Sequence, residues 1–231
     1  VVGTNVSPSY PPLEFVDESS GTVQGFDIDL ARAIGERLNA AIRIETTYSF
    51  ETLPAAIADG HVDLIISGIP IQREQTQGVV YSVPYLAIGQ GVAVRRDLQI
   101  PITRVEDLSQ LGLIGVQQNT VGEDALRNAG IASAQMYYVA GIDEAFVELA
   151  RGTIDAVVAD GAAVAWYTRQ WAETIKLVGG PFAVNEYGIV MRPDDQRLRT
   201  AINGTLQDLK DDGTLQQLLN TWGLEHVAYI P

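Results

Sequence analysis

The chain contains no cysteine, which removes disulfides, thiolate metal sites and a thiol nucleophile from consideration. Basic residues are scarce: 15 Lys and Arg stand against 29 Asp and Glu, a formal charge of −14. A surface of that sign repels phosphate backbones and anionic lipid, so no nucleic-acid partner is expected. The acids are scattered along the chain, as befits a solvated surface that keeps a protein in solution. No uninterrupted apolar run reaches the roughly 18 residues that a membrane span needs. The chain opens at Val1 with neither a basic nor an apolar leader region, so an exported protein is expected here in its mature form, its signal peptide removed. His61 and His226 are the only histidines and lie far apart, and nothing near them follows a His-Glu-x-x-His pattern. No metal and no other cofactor is expected. Gly-x-Ser-x-Gly and Walker patterns are missing, and Gly89-Gln90-Gly91 runs on into Val92-Ala93-Val94 without the third glycine of a dinucleotide fingerprint.

What is present is an apolar pattern that keeps changing period. With 231 residues and 46% hydrophobic content, the chain can bury a sizeable core as one domain or two smaller ones. Leu30, Ala31, Ile34 and Leu38 make a helical stripe, followed by a strand at Ile42 to Thr46 and a helix carrying Leu53, Ala56 and Ile57. Leu113 to Val116 reads as a buried strand. Thr120-Val121-Gly122-Glu123 then fits a capping box that opens a helix with Ala125, Leu126 and Ala129 on one side. A helix with Ala145, Phe146 and Leu149 precedes a strand at Asp155 to Val158, and Ala162 to Tyr167 starts the next helix. Leu198, Ala201, Ile202 and Leu209 mark a long helix, and Leu215, Leu218, Leu219 and Trp222 a short last one. Strands and helices that alternate in this way predict an α/β protein with mainly parallel sheets.

The segment from Asp63 to Tyr85 carries the most chemical information. Asp63 to Ile66 reads as a buried strand, Ser67-Gly68-Ile69-Pro70 as its exit turn, Gln72 to Gln77 as a helix start, and Tyr81 to Tyr85 as extended chain again. A strand that leaves through small residues into a helix start presents backbone N–H groups together, a geometry suited to anions. Asp27 and Asp29 look like a carboxylate pair, but Asp27 stands at a helix start, where a carboxylate caps orphan N–H groups.

That layout, with Tyr10-Pro11-Pro12 and Gly25-Phe26-Asp27-Ile28-Asp29-Leu30 before it, resembles the periplasmic amino-acid-binding proteins that serve ABC transporters. Tyr187-Gly188-Ile189-Val190, Asp211-Asp212-Gly213-Thr214-Leu215 and Trp222-Gly223 recur in the expected order, so the resemblance spans most of the chain. It implies a two-lobed periplasmic-binding-protein fold in which each lobe is a mainly parallel sheet flanked by helices. Two glycine-bearing segments, Ile88 to Val92 and Ala183 to Gly188, fall at the family's two crossings. Lobe one is then expected at 1–88 plus 188–231, and lobe two at 89–187.

The resemblance also implies a site and a role. Tyr10 and Phe50 fall where family members hold the ligand between aromatic faces, which supply apolar area and attract an ammonium. Ser67, Gly68 and Ile69 form the turn that meets the ligand. Asn119, Thr120 and Val121 match the turn whose N–H groups assist at the α-carboxylate. Asp160, after a strand and before a helix, matches the aspartate that pairs with the α-ammonium; a helix N-cap is its competing structural role. The chain departs from the family on the carboxylate side: an ungapped match places Gln75 where the family's arginine stands, and Pro70 where a serine or threonine stands. Glutamine donates through one amide and lacks both the fork and the charge, and Arg73, two residues earlier, would point to nearly the opposite helix face. The expected role is that of a monomeric, non-enzymatic solute-binding protein. It would lie in the periplasm or anchored outside the membrane, take a small polar molecule, foremost an amino acid, into the inter-lobe cleft, and pass it to an ABC permease. The alternatives are a ligand lacking the α-carboxylate, such as an amine, or a cyclohexadienyl dehydratase-like enzyme, for which a glutamate acid is expected where Asp160 stands.

Overall fold

The computed structural model describes residues 1–6, 10–49, 52–71 and 78–231. Its helices are α1 (Phe26–Arg37), α2 (Leu53–Ala58), α3 (Val121–Asn128), α4 (Ile142–Arg151), α5 (Gly161–Gln170), α6 (Gln196–Asp211) and α7 (Thr214–Thr221). They divide with the strands into two compact units, one of Val1–Ala87, Asn185–Trp222 and Tyr229–Pro231, the other of Ile88–Val184 and Gly223–Ala228. The chain changes unit inside the long strands Leu86–Arg95 and Ile175–Tyr187 and again beyond Trp222. The excursion of Gly223–Ala228 into the second unit is absent from the two-crossing expectation.

In the first unit the strand order is Ile44–Glu45, Val2–Gly3, Leu64–Ile65, Val190–Met191, Val80–Tyr81. The first three run parallel and the last two pair antiparallel. Pairing extends over only two residues per strand, so the expected strand at 42–46 shrinks to Ile44–Glu45. Helix α1 buries Phe26, Ile28, Leu30, Ala31 and Ile34, whereas Leu38 falls on its C-cap and is exposed. Glycine is required just before α1. Gly25 has φ +136, and a Cβ there would stand 2.0 Å from the Leu13 carbonyl oxygen.

In the second unit Ala156–Asp160 is the centre. It runs antiparallel to Leu86–Arg95 and parallel to Ile114–Gln117, which is parallel in turn to Met136–Val139. Alternate residues of these strands serve two cores, because successive side chains leave a strand on opposite faces. Val92, Val94, Ala156 and Val158 join Leu126 of α3 in one cluster, while Ala93, Val157 and Ala159 join Phe146 and Leu149 of α4 and Val164 of α5 in the other. A sheet covered on both faces reads in sequence as an unbroken apolar run. The stripe Ala145, Phe146, Leu149 is buried as its spacing predicts, and α4 ends at Gly152 with φ +79.

Candidate functional site

In the first unit the predicted ligand turn is bound into a buried polar cluster. Gly68 adopts φ +53, and a Cβ there would stand 3.2 Å from Tyr10 Cε1, so the tyrosine ring lies against the turn. Tyr10 belongs to a tight turn of its own: its N–H donates to the Glu14 carbonyl at 2.8 Å, and the Glu14 N–H returns to the Tyr10 carbonyl at 3.1 Å. The Gly68 N–H donates to Asp27 Oδ2 at 2.7 Å, and the Tyr85 hydroxyl donates to both Asp27 oxygens at 2.9 and 3.0 Å. The Ser67 hydroxyl accepts from the Asn5 N–H and donates to Glu14 Oε1, each at 3.0 Å. Ile69 accepts from the Gly188 N–H with its carbonyl, and its side chain packs on the core of Leu53, Ile57, Val62 and Ile65.

These contacts correct two expectations. Asp27 does not cap α1; its carboxylate turns inward to hold the Gly68 turn and Tyr85. The Gly68 N–H is accordingly not open to an anion, and the Ser67 hydroxyl is engaged on both sides. Glu14, Asp27 and Ser67 are all buried, with Glu14 at 3% and Asp27 at 0% exposure. Among the described residues Glu14 Oε2 meets no hydrogen-bond donor. Burial, and then the neighbouring Asp27 charge, push the Glu14 carboxyl well above the usual carboxylate range. Burial pushes Asp27 up to about 7, against the downward pull of the Gly68 N–H and the Tyr85 hydroxyl. A proton held on Glu14 gives its otherwise orphaned oxygen a hydrogen bond to donate to Asp27. Phe50, Arg73 and Gln75 lie outside the described residues.

In the second unit the predicted groups gather at one end of the sheet. Thr120 caps α3, its hydroxyl accepting the Glu123 N–H at 3.3 Å and donating to the Gln117 carbonyl at 2.7 Å. The Glu123 carboxylate reaches back past the cap to the Asn119 N–H at 2.7 Å, where Asn119 has φ +58. That N–H is thus taken, contrary to its expected role at a carboxylate. Arg127 holds Glu123 through Nε at 3.0 Å and Nη2 at 2.6 Å, and keeps its carboxyl below the usual range. Among the described residues no acceptor meets the N–H groups of Thr120 and Val121, and Val121 is exposed. Asp160 ends its strand and caps α5, accepting the Ala162 N–H at 2.9 Å. It lies on the same strand face as Ala156 and Val158, the face that packs on α3. Its half-exposed carboxylate therefore stands at the sheet end where α3 begins with unfilled donors.

The sequence pattern of the bacterial extracellular solute-binding proteins, family 3, matches residues 2–225. The chain belongs to this family. As a family 3 protein it is 27% identical to the ABC transporter arginine-binding protein 1 of Escherichia coli K12, over 96% of this chain and 90% of that one. It is 25% identical to the L-cystine-binding protein of the same strain, over 93% and 79% of the two chains. An ancestral cationic amino acid solute-binding protein shares its fold with a TM-score of 0.83 and 30% identity, over 96% of this chain and 94% of that one.

Proposed function

We propose that this protein captures a free amino acid outside the cytoplasmic membrane and hands it to an ABC permease. The observation that carries the reading is the pairing, at one end of the second unit's sheet, of the Asp160 carboxylate with the open N–H groups of Thr120 and Val121. An α-amino acid brings the complementary charges: its ammonium suits Asp160, and its carboxylate suits the positive end of α3. Relatives named for arginine, cystine and cationic amino acids support the ligand class. They are named as binding proteins, and Asp160 stands where the dehydratase reading needs a glutamate, so we read the chain as a binder and not an enzyme. Gln75 in the ungapped place of the family's arginine favours one second reading, an amine that lacks the carboxylate.

Melting temperature measured against the common amino acids and their decarboxylated amines decides between them. At ~100-fold excess over the dissociation constant a bound ligand adds about 2.7 kcal/mol of stability. The expected outcome is a clear rise with one or more amino acids and a much smaller rise with the matching amines. Asp160→Asn should lose about 1.5–3 kcal/mol of that affinity, the worth of a charge-assisted hydrogen bond, with the ligand-free melting temperature held. A rise with amines alone selects the second reading, and unchanged affinity in Asp160→Asn makes the residue a helix cap only.

A further inference from the structure

Gln90 lies in a strand otherwise made of Leu, Ala, Ile, Gly and Val up to Arg95. It is 6% exposed, and no hydrogen bond meets its side chain among the described residues. The amide atoms are not among the fully enclosed polar atoms that lack a partner, so the little exposure the residue keeps leaves them open to a hydrogen-bonding ligand. Its position says which ligand group it meets. Gln90 is the antiparallel register partner of Asp160, and both share the strand face of Val92, Val94, Ala156 and Val158 that packs on α3. Its Oε1 stands 3.1 Å from where a Cβ of Gly122 would be, so the amide reaches from beside Asp160 to the first turn of α3. Glycine at 122 leaves the room for that approach.

We propose that Gln90 is a specificity-determining residue that hydrogen-bonds the α-carboxylate of a bound amino acid next to the Thr120 and Val121 N–H groups. The inference rests on the amino-acid reading above and adds to it the group that reads the carboxylate. An amide supplies donors without a charge, so the carboxylate is met by neutral donors at a helix N-terminus, and Asp160 keeps its ion pair for the ammonium alone.

The test uses the full chain titrated calorimetrically with L-arginine, L-histidine, L-glutamine and L-cystine, and with agmatine and histamine as carboxylate-free counterparts of the first two. Gln90→Met keeps length and removes the amide. It should weaken amino-acid binding about tenfold or more, change amine binding less than about threefold, and leave the ligand-free melting temperature equal or higher, since no hydrogen bond within the described residues is removed. Gln90→Glu, with like charge facing the carboxylate, should weaken amino acids further and amines not at all. Gln90→Met binding the amino acids as the parent does overturns the inference. So does an equal loss for amino acids and amines, or a loss that follows a fall in ligand-free melting temperature, since each makes Gln90 a packing residue. A parent chain that binds none of the four amino acids overturns the function reading itself, and the role of Gln90 falls with it; the parent titration alone reveals that case.

Discussion

The Gly68 turn of the first unit and the Asn119 turn of the second solve one problem by opposite means. Each holds a left-handed residue at the exit of a strand, and each surrenders its N–H to a carboxylate on a neighbouring helix, Asp27 of α1 and Glu123 of α3. Among the described residues no cation meets Asp27; it is wholly buried, with Glu14 beside it and Tyr85 donating to it. Glu123 is gripped by the Arg127 guanidinium at the rim of its unit. The first carboxyl is therefore raised and the second lowered. A bound cation lets a turn stay charged, while a buried turn without one keeps a proton instead.

The largest effect is expected from Asp27→Ala, which strands the Gly68 N–H and the Tyr85 hydroxyl together. Two buried donors left without acceptors cost about 1–3 kcal/mol each, so a loss of about 3 kcal/mol and a fall of about 6–12 °C in melting temperature are expected for a chain of this size. A fall no larger than a surface substitution gives would break the comparison, for it would mean that the Gly68 turn does not depend on its carboxylate.

Glu14→Gln sharpens the comparison through pH. Glutamine still accepts from Ser67 and donates towards Asp27, but it cannot titrate. In the parent, both carboxyls are raised in the folded state. Their contribution to stability is complete below about pH 4, where the unfolded carboxyls are protonated as well. It is lost as pH rises through about 7 for Asp27 and on towards the raised Glu14 value. Glu123 has the reverse sign: its lowered value gives stability above its ordinary range that is lost as pH falls. Chemical denaturation between about pH 5 and 8 should therefore show parent stability falling with pH, and a flatter profile for Glu14→Gln. Parallel profiles for the two chains would locate the proton elsewhere.

The sequence carried much of the fold and less of the chemistry, for reasons visible in particular residues. Phe146 and Leu149 are where helical spacing puts them because a single stripe meets a single core. Leu113 and Leu38 are exposed at element ends, where apolar character alone does not mark the boundary. Thr120 and Glu123 were readable as a cap, since that motif is local; the carboxylate's choice of Asn119 follows from a left-handed backbone that the residue types do not dictate. Asp27 reads locally as a cap, whereas its partners, Gly68 and Tyr85, lie 41 and 58 residues away, beyond any local pattern. Gln90 gave no signal at all. An amide inside an apolar strand looks like noise until its register against Asp160 is known.

The contrast between the two turns is tested most directly by a carbon-detected NMR titration of the Glu14, Asp27 and Glu123 side-chain carboxyls in the ligand-free protein. The account predicts Asp27 titrating near 7, Glu14 also above the usual range in a step linked to that of Asp27, and Glu123 below the usual range. All three titrating together near about 4, the value of an unperturbed carboxyl, would contradict it.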